Sequence, residues 1–313
     1  MSWVIFTILA TILQSFRNLE QKSLNKRLDA LTVSWSRFII PLPFAIIVAV
    51  SSFYQLDSEF IFYCFVTGLF QIAGNIFLLQ TFKTRNFSIG IAFSKTEVLQ
   101  SYLIGLLFFN ALISTSDLIS ILVATIGVIL ISGNFTAGYK TGYKNLAKSF
   151  YNQSLLKPNQ EICFLVYGLL TGLSFSISAF NLKFASEKLH ILQYSPSKTA
   201  IMVLMWVICF QNIFFVIVKF CQRTLIKDLK SMISLENKYT FLKTSILSFC
   251  GSFCWFIAYG LGEVVYVKAV GQIEIVIAIL ISFLLLKEKL KKIEIIGIAL
   301  TSSGILWLIF NQN

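Results

Sequence analysis

Glu97 and Glu274 are carboxylates set inside long apolar runs, each flanked by small residues at helical spacing. Gly90, Ser94, Glu97, Ser101 and Gly105 share one face of a helix, and Val267, Gly271, Glu274, Ala278 and Ser282 share one face of another, 177 positions later. The match continues outward at the same offset, pairing Gly74 with Gly251, Phe82 with Tyr259, Ala92 with Ala269, Asp117 with Glu294 and Gly127 with Gly304. A carboxylate at mid-membrane costs roughly 2.5–3.5 kcal/mol on insertion scales, so such groups line cavities, form pairs or carry protons. A duplicated bundle with one such carboxylate in each copy is a common build of secondary transporters. The competing reading is a buried lock between two helices, which the flanking small residues also suit.

The cations in apolar runs are Arg17, Arg37, Lys95 and Lys183. Lys95 lies about 200° around the helix from Glu97, so the two are not expected to neutralise each other. It can bind a substrate anion, pair with another helix or snorkel to the membrane surface. Arg37 precedes Pro41 and Pro43, so it can satisfy the carbonyls freed at a kink or bind an anion through both arms of its guanidinium. Gln14, Arg17, Asn18 and Gln21 share a face of the first helix, and Asn181 and Lys183 occupy the corresponding end of the sixth. Asn75, Gln100, Gln272, Gln71, Trp255, Tyr259 and Tyr266 add hydrogen-bonding groups and ring surfaces. More cations than acids favour a substrate with a carboxylate or phosphate, such as an amino acid or a related zwitterionic or anionic metabolite. A lipophilic cation fits poorly.

These residues must be positioned by membrane-spanning helices. The 313-residue chain is 57% hydrophobic and 13% charged, with a mean hydropathy of +0.79, far from the roughly 25% charge of soluble domains. Its apolar runs are long enough to cross about 30 Å of hydrocarbon and are apolar all round, which excludes barrel strands. The expected class is an all-α integral membrane protein with ten transmembrane helices, near 3–24, 31–52, 60–81, 87–109, 117–134, 161–186, 197–220, 241–260, 265–286 and 293–311. They are organised as a five-helix repeat over 1–134, a basic linker over 135–160 and a second repeat over 161–313. The six cysteines, Cys64, Cys163, Cys209, Cys221, Cys250 and Cys254, read as small hydrophobes, because no metal-ligand or redox spacing is present.

Most of the 26 Lys and Arg fall in the odd-numbered loops: Lys22, Lys26 and Arg27; Lys83 and Arg85; Lys140, Lys144, Lys148 and Lys157; Lys219 to Lys243; and Lys287 to Lys292. Short cytoplasmic loops are enriched in these residues, so the odd loops are expected in the cytoplasm and both termini outside. The net charge of +12 is then an orientation signal and not a nucleic-acid surface. Lys188, Lys198 and Lys268 are assigned to the sparse opposite side. An odd number of helices per half makes the repeats inverted.

The segment LLLKEKLKKIEIIGIALTSSGILWL (284–308) resembles the end of an EamA repeat, in the drug/metabolite transporter superfamily, with a Glu-basic-Leu turn at Glu288, Lys289 and Leu290 leading into a helix punctuated by Gly297 and Gly304. The segment SRFIIPLPFAII (36–47) resembles that family's second helix. The resemblance implies an inner bundle of helices 1–4 and 6–9, peripheral helices 5 and 10, and a central cavity open to alternate sides. Many relatives carry Pro after each Glu, where this chain has Val98 and Ile275, and the first repeat reads FFNALIS (108–114) in place of the Glu-basic-Leu turn. The expected function is secondary transport of a small polar metabolite by alternating access in the bacterial inner membrane, with proton coupling and exchange both open. The alternative is a lipid flippase or passive facilitator. The expected partners are a small-molecule substrate and the lipid bilayer, with no nucleic acid, as a monomer or homodimer. No catalytic set, metal site or cofactor is expected, since the single histidine, His190, reads as a loop residue beyond the sixth span.

Overall fold

The computed structural model describes residues 2–52, 56–84, 97–109, 114–134, 158–286 and 292–311. These form helices α1 (Ser2–Leu24), α2 (Ala30–Trp35), α3 (Leu42–Ser52), α4 (Ser58–Thr84), α5 (Glu97–Phe109), α6 (Thr115–Asn134), α7 (Pro158–Ile191), α8 (Pro196–Cys221), α9 (Leu225–Ile233), α10 (Lys238–Leu261), α11 (Val264–Val270), α12 (Ile273–Leu286) and α13 (Lys292–Asn311). By length and composition, Ser58–Phe82, Pro196–Cys221 and Lys238–Leu261 can each cross a membrane, and shorter apolar helices include Leu42–Ser52, Glu97–Phe108, Thr115–Val128 and Ile295–Asn311. Large apolar side chains such as Val50, Leu107, Phe108, Phe220 and Phe310 point outward. In water that surface would drive aggregation, whereas in lipid it is the solvated face.

Two expected spans are interrupted. The second breaks at Ser36–Pro41, between α2 and α3, because Pro41 has no amide to donate. The freed carbonyls are satisfied from elsewhere: Asn212 Nδ2 donates to Phe38 O at 3.0 Å and Ser245 Oγ to Arg37 O at 3.3 Å. The ninth span breaks at Gly271 and Gln272, where single tight turns (Gln272 N to Ala269 O, Glu274 N to Gly271 O) replace the α-helical ladder. Glu274 opens the first turn of α12. The corresponding stretch before Glu97, with Gly90, Ser94 and Lys95, lies outside the described residues, as do most of the central linker and the turn at Glu288 to Leu290. Helix α9 is an addition that length and hydropathy do not reveal, a short amphipathic segment between α8 and α10.

The most extensive helix pairs are α4 with α7, α1 with α10 and α6 with α13. Small residues set these approaches. A Cβ on Gly74 would stand 2.9 Å from the ring of Phe175, and one on Gly127 would stand 2.7 Å from the carbonyl of Gly297. Hydroxyls along these faces donate to their own helix, as Thr7 does to Trp3 O and Ser248 to Thr244 O, so they pack like small apolar groups. The main core is built from α2–α4, α7, α8 and α10, around Trp35, Phe60, Trp206, Phe215 and Phe256. Cys64 is buried there, whereas Cys221 and Cys250 are on the outer surface.

Candidate functional site

A cavity of about 570 Å³, counting its open mouth, lies between the helices of the two halves. Gln14 and Arg17 reach it from α1, Arg37 from the α2–α3 break, Gln71 from α4, Glu97 from α5, Phe175 and Ser178 from α7, Trp255 and Tyr259 from α10 and Lys268 from α11.

At its wall, Lys268 Nζ stands 2.9 Å from Glu97 Oε2. Lys268 is 5% exposed and Glu97 7%. The ammonium also faces the rings of Tyr259 and Phe175, at 5.7 and 5.8 Å. The pair therefore joins α5 to α11 across the middle of the molecule. Gly172 makes room for it: a Cβ there would meet Gln100 Oε1 at 2.8 Å and Glu97 N at 3.0 Å. Ser176 Oγ donates to Glu97 O at 3.0 Å, and Ser101 Oγ to Ser176 Oγ at 2.8 Å. The small residues around Glu97 thus seat α5 against α7.

Glu274 is 1% exposed and is held by amides. Gln14 Nε2 donates to Oε2 at 2.8 Å and Asn18 Nδ2 to Oε1 at 2.9 Å. Arg17 Nη2 donates to Asn18 Oδ1 at 2.9 Å, and Trp255 Nε1 to Gln14 Oε1 at 2.9 Å. Trp255 stacks on Tyr259 at 5.5 Å. A Cβ on Gly271 would come within 2.9 Å of Trp255 Cη2, so glycine at the break in the ninth span leaves space for that indole. Glu274 lies behind Gln14, one residue away from the cavity, and Arg17 is bridged to it through Asn18.

Arg37 donates from Nη1 to Asn75 Oδ1 at 3.0 Å, and its guanidinium lies 4.8 Å from the centre of the Phe38 ring. Asn212 and Ser245, and not Arg37, complete the kink. Gln100 Nε2 donates to Leu169 O at 3.3 Å, towards α7, and Gln272 Nε2 to Thr125 Oγ1 at 3.4 Å, towards α6. Tyr266 donates to Asp117 Oδ2 at 3.0 Å. Lys183 points away from the cavity. Its Nζ donates to Gly262 O at 3.3 Å and stands 3.7 Å from Glu263 and 3.8 Å from Glu187, pinning the end of α7 to the α10–α11 turn. The cavity thus brings together Glu97, Arg17, Arg37 and Tyr259, with Glu274 and Asn75 directly behind. Gln100, Gln272 and Lys183 face other helices, and Lys95 lies outside the described residues.

Lys268 is the residue that reading by charge distribution misassigns, by grouping it with the loop cations of the sparse side. The overlooked signal is its place within the apolar run VVYVKAV, where a lone cation needs a partner inside the bundle.

A helical bundle with lipid-facing flanks and a charged internal cavity is the arrangement of a multi-pass membrane transporter. The model of the EamA-like transporter family matches residues 1–133 and 162–310, and the chain belongs to that family, within the drug/metabolite transporter superfamily. A solved structure described only as a crystal structure of a protein aligns with a TM-score of 0.69 over 99% of this chain and 97% of its own, at 11% identity, a likeness of fold alone. Among curated proteins no sequence match was found.

Proposed function

We propose that this protein is a secondary transporter that carries a small polar metabolite with a carboxylate or phosphate, such as an amino acid or a related zwitterionic or anionic compound, across a bacterial cytoplasmic membrane by alternating access. The observation behind this reading is the contact of Lys268 with Glu97 on a wall shared with Arg17 and Arg37. Three cations meet one carboxylate there, and Glu274 lies one residue behind. A substrate anion can take the place of the Glu97 carboxylate at Lys268, and a proton on Glu97 achieves the same release. Since a buried charge left alone is costly, each exchange must be matched by another. That gives Glu97 the role of coupling group and Lys268, Arg17 and Arg37 the role of anion binders. The stacked Trp255 and Tyr259 offer a surface for the organic part of the substrate.

The reading includes ten spans arranged as two inverted five-helix repeats. Exchanging the halves turns the α1–α10 pairing into the α7–α4 pairing and leaves α6–α13 on the axis. At that axis the glycines agree: Gly127 faces Thr301 and Gly297, and Gly304 faces Ala124 and Ser120, each residue 177 positions from its counterpart. Rocking of one half against the other would break and remake the Glu97–Lys268 contact, because its two members sit on opposite halves.

The test is flux in proteoliposomes loaded with pools of labelled amino acids and phosphorylated metabolites, comparing wild type with Glu97→Gln, Lys268→Gln and Glu274→Gln. Saturable flux that falls at least ~10-fold in Glu97→Gln and Lys268→Gln is expected, a loss of about 1.4 kcal/mol or more. Equal flux in wild type and variants would reduce the pair to a structural lock, and flux of phospholipid analogues alone would replace this reading with a flippase.

A further inference from the structure

Below the cavity, towards the basic loops, the helices carry polar side chains that the protein does not satisfy. Gln21 lies one turn beyond Arg17 on α1, Asn75 one turn beyond Gln71 on α4, and Thr244 two turns beyond Ser252 on α10. Gln21, Asn75 and Thr244 are fully buried. Among the described residues, Gln21 Nε2 and Oε1, Asn75 Nδ2, Thr244 Oγ1 and Arg37 Nε have no hydrogen-bond partner. Arg37 connects the group: it donates to Asn75, lines the cavity above, and its carbonyl accepts from Ser245, the neighbour of Thr244.

A buried polar group left without a protein partner is costly. Five such groups on four side chains in one layer are unaccountable as packing, since Leu or Met would fill the same space at lower cost. Most of the orphaned groups are donors and Arg37 is a full positive charge. Glu20, the adjacent carboxylate on α1, is engaged outward with Lys243. Beneath the layer, Leu24, Val33, Leu79 and Phe82 form an apolar plug, and Asn25 Nδ2 donates to Leu79 O at 2.9 Å, tying α1 to α4. The layer is therefore shut from the basic side in this conformation.

We propose that Arg37, Asn75, Gln21 and Thr244 form a second anion station, adjoining the Lys268–Glu97 wall through Arg37, which takes a carboxylate or phosphate when the plug withdraws. The proposal rests on the transport reading for its role in transit. The station itself is tested without knowing the substrate. Gln21→Cys and Thr244→Cys are made singly in a full-length background with the six native cysteines changed to alanine, alongside exposed controls at Lys230→Cys and Ser197→Cys. In proteoliposomes each is reacted with a sulfonate-bearing and with a trimethylammonium-bearing methanethiosulfonate of similar size, and labelling is read by intact mass.

Both interior cysteines are expected to react, the sulfonate faster by at least ~10-fold relative to the controls, because a positive wall concentrates anions. Adding Arg37→Gln should abolish the preference while reaction continues, and Arg37→Lys should keep part of it. No reaction at Gln21→Cys and Thr244→Cys in protein whose controls label, or equal rates for the two reagents, would overturn the station. A sulfonate preference in protein that moves no labelled pool would keep the station and remove the transport reading, and flux without that preference would do the reverse.

Discussion

Lys268 and Glu97 form an ion pair deep in the bundle, and their energetics are set by the low dielectric around them. Removing one partner strands the other, at a cost of roughly 3–5 kcal/mol, whereas replacing both with neutral groups of similar volume is often close to neutral. The melting temperature of detergent-purified protein should therefore fall further in Lys268→Met than in the double variant Glu97→Gln/Lys268→Met. Flux should be lost in both. A double variant that melts no higher than the single would show that the pair does not carry this coupling. Glu274 differs because its oxygens accept from the neutral amides of Gln14 and Asn18. Glu274→Gln turns one acceptor into a donor facing donors, so it should disturb Trp255 through Gln14, visible as a change in tryptophan fluorescence.

Among the elements, α6 and α13 show how closely glycine sets helix approach. An added methyl at Gly127 would meet backbone atoms of Thr301 and Gly297 at 2.6 and 2.7 Å, so the helices must part. Gly127→Ala should cost about 1–3 kcal/mol, as overpacking does. Gly251→Ala has its nearest neighbour, Leu13 Cβ, at 3.4 Å and gains helix propensity worth up to about 1 kcal/mol, so its melting temperature should hold or rise. The two alanines together separate packing from propensity. At the basic end, Asp29 caps α2 through Thr32 and, with Asp228, holds the buried Lys219. Partial burial raises the Asp29 carboxyl, but the Thr32 hydroxyl and amide and the Lys219 ammonium outweigh it and hold Asp29 below its ordinary value. A carboxyl with a depressed native pKa contributes stability above its unfolded pKa and loses it as pH falls through the native one. Asp29→Asn should thus lower the melting temperature at neutral pH, and the difference from wild type should vanish in strong acid. A difference that persisted there would assign the effect to capping alone.

For the whole molecule, orientation is the property that the packing does not reveal, since a bundle looks the same with either end in the cytoplasm. The basic loops are expected to supply it, since short cytoplasmic loops are enriched in Lys and Arg. Lys230→Cys should be labelled by an impermeant maleimide only after the vesicle membrane is permeabilised from the cytoplasmic face, and Ser197→Cys from the opposite face. Matching sidedness at both positions would remove the assignment of the odd loops to the cytoplasm. The exposed apolar belt of Leu107, Phe108, Val50 and Phe220 belongs to this scale too, because it has meaning only with lipid around the bundle.

Composition and run length were enough to set the helical membrane class, because unsatisfied backbone in hydrocarbon leaves few alternatives. The offset of 177 between Glu97 and Glu274 is a sequence observation, small residues at matching spacing along two stripes, and it motivates the repeat as an expectation. Pro41 announced the break in the second span, since a missing amide is a local fact. What only the tertiary structure decided was who meets whom. Lys268 sits 171 positions from Glu97, Asn18 sits 256 from Glu274, and Asn212 reaches the kink from another half of the chain. No helical periodicity encodes those meetings, because they depend on which helix faces come together and at what depth. For the same reason Lys183, Gln100 and Gln272, as polar as any residue on the cavity wall, turn out to face their neighbours.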